Sequence, residues 1–159
     1  IWKVTKMTEQ TMEYAREVGV IPEVISSMEE AGWENGIEGF MATSDLQRVA
    51  EYIDQYLPEI YYVNSEPGCV DIMASGVSKW RGIKILAESL NIAHEDILTV
   101  GNYYNDIDML QHAGVGIAVA NSLPEVKDVA DFVTEYDNNH DAVAEIISKM
   151  LHHEYDMTK

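Results

Sequence analysis

The segment GNYYND, residues 101–106, links an apolar run, Ile97–Val100, to a helical pattern that begins at Ile107. A second segment, GVSK at residues 76–79, opens another helical pattern. Open α/β sheets bind their ligands at the loops after the carboxyl ends of strands, and helix starts hold anions well. The two segments therefore predict where the chemistry takes place, and they point to phosphate.

Short strands alternate with helices from Gly76 to the end of the chain. The predicted helices are Lys79–Leu90, Asp106–Ala113, Pro124–Ala130 and Asp141–His152, and the predicted strands are Ile97–Val100, Val115–Ala120 and Asp131–Thr134. This alternation indicates βαβ units and a parallel sheet. The nearly continuous apolar runs indicate strands covered on both faces. We therefore expect an α/β fold in which helices flank a parallel sheet.

Residues 1–74 have a different pattern. Here the predicted helices are Glu9–Val18, Pro22–Ala31 and Asp45–Leu57, and the predicted strands are Ile37–Ala42, Ile60–Asn64 and Cys69–Met73. The last two strands flank SEPG, residues 65–68, which is typical of a hairpin connection. This pattern predicts an α+β unit with antiparallel pairing. We place a domain boundary near Ala74–Gly76, which gives one unit at 1–74 and another at 75–159.

The composition limits the class of partner. The chain has 159 residues, and its ten basic and 28 acidic residues give a formal charge of −18. Nucleic acid and anionic membranes both select basic patches, so we expect neither as a partner. With one cysteine, Cys69, no intramolecular disulfide can form, and no apolar run reaches the length of a membrane span. We expect a cytoplasmic location, and the start at Ile1 predicts that the chain is part of a longer protein.

Lys79 is the strongest single candidate for catalysis. Ser78 suits the N-cap of the following helix, so Lys79 falls in the first turn, where the helix dipole disfavours a cation. A residue that departs from such a helix preference often has a function. An ammonium group beside free helix N–H groups makes a good anion site. A solvated lysine at a helix end explains the same residues equally well.

The loop after Ile97–Val100 and the end of Val115–Ala120 supply further polar candidates. Gly101 permits a tight turn or a close approach of another group, whereas Asp106 and Asn105 also suit a helix start on their own. Asn121 follows the second strand at the ligand end of the sheet. Ser122 and Glu125, which flank Pro124, predict a capping box at the next helix.

Taken together, these motifs resemble the haloacid dehalogenase (HAD) superfamily, and within it the Cof-type phosphatases with a large α/β cap. The family pattern is G-V-x-K, then G-D-x-x-N-D-x-x-M-L, then N followed by A or S. Here it reads GVSK at 76–79, GNYYNDIDML at 101–110 and NS at 121–122. Order and spacing agree over residues 70–150. The resemblance implies a Rossmann-like core, of which this chain holds an incomplete part, and identifies residues 1–74 as a later portion of the cap.

The resemblance also implies the chemistry. In the family an Asp nucleophile attacks the phosphate monoester of a small metabolite, a second Asp is the general acid/base, and Mg²⁺ bridges phosphate and carboxylates. It assigns Lys79 to the nucleophile and the phosphoryl oxygens, Asn102 and Asp106 to Mg²⁺, and Asn105 and Asn121 to loop order or phosphate contact. Phosphoryl transfer depends mainly on positioning and charge neutralisation, which these residue types supply.

Two departures from the family pattern leave alternatives open. Asn102 stands where the family usually has Asp, and an amide oxygen brings no charge to Mg²⁺. The nucleophile motif is absent from this chain, so the chain alone is expected to be inactive. A non-catalytic HAD-like binding or assembly protein is one alternative, and an unrelated phosphate- or nucleotide-binding module is another. Without the nucleophile strand, Ile97–Val100 would leave an open sheet edge, which predicts self-association or association with a missing N-terminal part.

Overall fold

The computed structural model describes residues 2–32, 36 and 38–155. Six α-helices and eight strands lie in these residues. The helices are α1 Glu9–Val18, α2 Leu46–Tyr56, α3 Lys79–Leu90, α4 Ile107–His112, α5 Pro124–Val129 and α6 Ala142–Leu151. The strands are β1 Lys3–Val4, β2 Glu23–Val24, β3 Gly39–Ala42, β4 Ile60–Glu66, β5 Cys69–Ala74, β6 Leu98–Gly101, β7 Val115–Ala118 and β8 Phe132–Val133. Short 3₁₀ turns lie at Met28–Ala31, His94–Asp96 and Tyr104–Asp106.

The described part of the C-terminal half contains a parallel sheet in the order β6-β7-β8. Its central strand, β7, is buried along its whole length, and helices cover both of its faces. On one face Val115 and Ile117 pack against Ile146 of α6, and on the other Ala118 packs against Leu110 of α4. The predicted α/β fold with a helix-flanked parallel sheet is confirmed.

Residues before Gly76 form two small sheets. Strands β3, β5 and β4 make an antiparallel sheet with β5 in the middle, and β4 and β5 form the predicted hairpin. Strands β1 and β2 pair in parallel. The domain boundary near Ala74–Gly76 stays a prediction.

The boundaries of α1 and α3 follow the capping signals of the sequence. Ser78 caps α3 because its hydroxyl oxygen accepts a hydrogen bond from the Arg81 N–H at 3.1 Å. The helix ends at Asn91, which adopts the left-handed conformation with φ 54°. Thr8 and Gly19 delimit α1 in the same way, by a side-chain cap and a left-handed residue. These local signals explain why α1 and α3 begin and end as predicted.

One predicted helix is wrong. The segment 22–31 is not helical over its length, because Glu23 and Val24 pair with Lys3 and Val4 and only Met28–Ala31 forms a short 3₁₀ turn. Two backbone hydrogen bonds, from Glu23 N–H to the Trp2 oxygen and from Ile25 N–H to the Val4 oxygen, hold this pairing at 2.9 Å each. A partner distant in sequence thus overrides the local helical pattern.

Apart from α1 and α3, the other predicted elements differ from the structure at their ends. Strand β3 begins at Gly39, and Ile37, where the prediction began, lies outside the described residues. The loop before α4 forms a 3₁₀ turn, so the α-helix starts at Ile107 and not at Asp106. Across the described residues, every helix falls short of the length and apolar character that a membrane span requires.

Candidate functional site

The two motif segments meet at one ion pair. Lys79 is the first residue of α3, and Asp106 is the last residue of the 3₁₀ turn that follows β6. The Lys79 Nζ lies 2.5 Å from Oδ1 of Asp106. The lysine side chain is half exposed, whereas the aspartate side chain is almost fully buried at 5% exposure. The fold therefore places one cation at the carboxyl end of β6, with one side open to solvent.

The carboxylate of Asp106 also organises its own loop. Its Oδ2 accepts hydrogen bonds from the backbone N–H groups of Asn102 at 2.8 Å and Tyr103 at 3.2 Å. Together with Lys79, these donors use three of the roughly four acceptor positions of a carboxylate. Asp106 is thus a structural centre of the loop, with about one acceptor position left for a ligand.

Gly101 makes this arrangement possible. A Cβ atom at this position would lie 2.4 Å from the Cβ of Asp106, a separation that packed side chains do not tolerate. The loop therefore folds back onto the end of β6 only because residue 101 has no side chain. The predicted close approach at Gly101 is confirmed.

The loop between β7 and α5 is hydrogen-bonded to residues 101 and 102 at the end of β6. The hydroxyl of Ser122 donates a hydrogen bond to the Gly101 oxygen at 3.2 Å, and the N–H of Leu123 donates to the Asn102 oxygen at 3.3 Å. The predicted capping box is therefore wrong, because Leu123 is the N-cap of α5 and no side chain caps that helix. Pro124 does occupy the first turn, as predicted.

A cavity of about 550 Å³ opens beside the ion pair. Lys79, Asn102 and Asp106 line it together with residues from the loop before α6, including Asn138 and Asn139. The sequence reasoning missed Asn138 and Asn139. The sequence contains a pattern that could have predicted them. The polar run DNNHD at 137–141 follows the last predicted strand of the parallel sheet and so lies at its ligand end.

The cavity unites three of the five predicted site residues. Asn105 lines a neighbouring cavity on the side of β4 and β5, which Lys79 also lines. Asn121 lies in a shallow depression beside Tyr136 and exchanges hydrogen bonds with Asn138, one of them at 2.7 Å. Asn121 thus reaches the main cavity only through Asn138. The catalytic and binding roles of all five residues stay predictions.

The oxygen donors in the cavity match part of a Mg²⁺ site. Asn102 offers an amide oxygen, and Asp106 retains one acceptor position as counted above. Among the described residues, no group of three or more His, Cys, Asp or Glu side chains is arranged to hold a metal ion. Mg²⁺ is usually held by one or two carboxylates, with waters and substrate phosphate completing the shell. Asn102 and Asp106 therefore fit such an ion only with further ligands from beyond the described residues.

Comparison with known proteins identifies the family. The sequence profile of the haloacid dehalogenase-like hydrolases matches residues 4–147. A putative phosphatase of Bacillus subtilis, YxeH, is 35% identical over 108 residues, which cover 67% of this chain and 40% of the relative. The 5-amino-6-(5-phospho-D-ribitylamino)uracil phosphatase YcsE of the same organism is 34% identical over 89 residues, covering 56% of this chain and 35% of the relative.

A solved structure supports the same assignment. A sugar phosphatase of HAD subclass IIB superposes with a TM-score of 0.75 at 25% identity, and the match covers 92% of this chain and 54% of that one. The chain spans 37% and 40% of the length of two of the curated relatives it matches, the putative phosphatase MG265 of Mycoplasma genitalium and YxeH. Profile, sequence relatives and fold agree with the motifs at 76–79 and 101–110, so the chain belongs to the haloacid dehalogenase-like hydrolases, in their Cof-type phosphatase branch.

Proposed function

We propose that this chain forms part of a Mg²⁺-dependent phosphatase that hydrolyses phosphate monoesters of small metabolites through an aspartyl-phosphate intermediate. The nucleophilic Asp is not among its residues. The observation that carries the proposal is the Lys79–Asp106 pair, which holds a half-exposed ammonium in the lining of the cavity. An ammonium in this position would neutralise charge on a transferring phosphoryl group.

Each residue has a definite task in this proposal. Lys79 binds the phosphoryl oxygens and the attacking carboxylate, and Asp106 holds Lys79 and the loop in place. Asn102 and Asp106 offer oxygens to Mg²⁺, which supplies Lewis-acid neutralisation of the phosphate when bound. Asn105 and Asn121 keep the neighbouring loops in position, the latter through its hydrogen bonds with Asn138.

Phosphatase assays on the full-length protein that carries this chain test the proposal. We expect hydrolysis of p-nitrophenyl phosphate and of small phosphate esters that requires Mg²⁺ and stops with a chelator. The reading frame upstream of Ile1 should encode a strand followed by D-x-D. Absence of that motif, together with no hydrolysis of any ester, would contradict the proposal.

A second candidate is a non-catalytic HAD-like protein that serves binding or assembly. Asn102 favours this candidate, because its neutral amide brings no negative charge to a metal ion, whereas a carboxylate would. In that case the protein would bind inorganic phosphate in a manner that depends on Lys79, but would hydrolyse no ester at any Mg²⁺ concentration.

We also propose that the chain associates through the edge of β6, with a second copy or with a segment outside it. In the described residues β6 pairs with β7 alone. Apolar side chains stay exposed on two of the helices, among them Leu86 and Leu90 of α3 and Ile147 of α6. Exposed edge strands tend to pair. A monodisperse monomer in sedimentation, with little binding of an apolar dye, would contradict this.

A further inference from the structure

Lys79 also lines a second cavity. Its volume is about 410 Å³, within the usual range for pockets that hold small molecules. It lies between the β4–β5 hairpin and the α4 region, next to the cavity of the ion pair, and Lys79 lines both. A phosphate bound at Lys79 would therefore have this space beside it.

The hairpin contributes one wall as two cross-strand pairs. Tyr61 lies opposite Met73, and Val63 lies opposite Asp71. All four residues line the cavity, as expected because alternate residues of a strand point to the same face. The facing wall includes Asp108 and other residues of α4 and its preceding turn.

The charged side chains that line this cavity are unevenly distributed. Lys79 is the one cation among the described residues that line it, and its ammonium is already paired with Asp106. No second lining cation matches the carboxylates of Asp71 and Asp108; the imidazole of His112, which does not line the cavity, has its Nδ1 3.1 Å from Oδ1 of Asp108. Burial, and then the Asp108 carboxylate, raise the pKa of Tyr61, so its phenol stays protonated and can donate a hydrogen bond. The part of the cavity away from Lys79 thus carries net negative charge.

We propose that this cavity holds the alcohol part of the phosphate ester, and that Asp71 and Asp108 select alcohols by charge. A neutral or amine-bearing alcohol donates hydrogen bonds to the two carboxylates, whereas an alcohol with a second anionic group is repelled by them. The inference rests on the proposed function, because the phosphate must lie at Lys79 for the alcohol to reach this space.

Three matched esters test the charge selection. Glucosamine 1-phosphate, glucose 1-phosphate and glucuronate 1-phosphate share a pyranose ring and differ in a positive, neutral or negative group. Their inhibition constants are measured against p-nitrophenyl phosphate hydrolysis by the full-length protein that carries this chain. We expect the amine to bind more tightly than the acid, and Asp71→Asn to reduce that ratio about five- to tenfold, since one interacting charge is removed.

A matched control and a second variant make the result decisive. Asp54→Asn removes the same charge from α2, where Asp54 accepts a hydrogen bond from Tyr62, a residue that does not line the cavity. It should leave the ratio unchanged. Asp108→Asn tests the opposite wall and should act like Asp71→Asn, even if the latter variant fails to fold in circular dichroism.

The outcomes separate the inference from the function on which it rests. Hydrolysis of p-nitrophenyl phosphate with equal inhibition by all three esters, or with the same ratio in every variant, would overturn charge selection and leave the phosphatase intact. The absence of any competition by the three esters would overturn it equally. No hydrolysis by the wild-type protein would remove the proposed function itself, and this inference with it.

Discussion

The Lys79 ammonium and the Asp106 carboxylate lie 2.5 Å apart, although the two residues are separated by 27 positions in sequence. The aspartate is buried and further held by two backbone N–H groups, so its position depends on the loop, and the position of the lysine depends on the aspartate. The pair thus orients a solvent-facing cation by means of a rigid anion.

Replacement of this cation should abolish most of the activity. In the full-length protein, we expect Lys79→Ala to lower kcat at least about a hundredfold, as for the loss of a donor that stabilises transition-state charge. Lys84→Ala, on the exposed part of the same helix, is the matched control and should change kcat little. Equal activity in both variants would exclude Lys79 from the chemistry.

Gly101 should tolerate no side chain. We expect Gly101→Ala to lower the free energy of unfolding by about 1–3 kcal/mol through overpacking against Asp106. In Gly82→Ala, within α3, the added Cβ meets nothing within 4 Å, and the variant should gain about 0.5–1 kcal/mol of stability. Urea unfolding of both variants measures the difference, and opposite signs are the expected result.

Asn102→Asp should preserve or improve Mg²⁺ affinity. The backbone N–H at this position keeps its bond to Asp106, while the new carboxylate adds the charge that Mg²⁺ prefers. The Mg²⁺ concentration for half-maximal activity is therefore expected to stay equal or fall. Asn64→Asp, in the hairpin strand β4, controls for added charge. Loss of activity in Asn102→Asp alone would show that residue 102 is not a metal ligand.

Cys69 should be unreactive in the folded protein. Burial, followed by the nearby Glu66, raises the pKa of its thiol to about 11 from the usual 9.0. Because the folded state disfavours the thiolate, this cysteine contributes to stability below pH 9.0, and that contribution is lost as pH rises through about 11. Alkylation by iodoacetamide at pH 8 should be slow until urea is added. The variant Cys69→Ala should lose less stability than the wild type over the same pH range.

The parts of the fold that could be predicted depend on local signals. The end points of α3 follow from Ser78 and Asn91, and the β4–β5 hairpin follows from the turn residues at 65–68. Periodicity likewise predicted the alternation that gives the parallel sheet. None of these elements needs knowledge of a distant partner.

The predictions that were wrong concern residues whose contacts lie far away in the sequence. The segment at 22–31 reads as a helix by itself, but Glu23 and Val24 find a partner strand near the start of the chain. Ser122 reads as a helix cap, but its hydroxyl reaches the Gly101 oxygen 21 positions away. Asn138 enters the cavity only because the last loop returns to the end of β6. Contacts between distant segments decided each case, and local patterns do not contain them.

The edge of β6, which is open in the described residues, would make activity depend on the pairing of a further strand. Lys79 and Asp106 stand at the carboxyl end of this strand, so a partner strand that completes the sheet in parallel would bring its own carboxyl end to the ion pair. Sheet completion and assembly of the reaction centre would then be a single event. Catalytic turnover would then require the complete sheet, and a misassembled protein would be inactive.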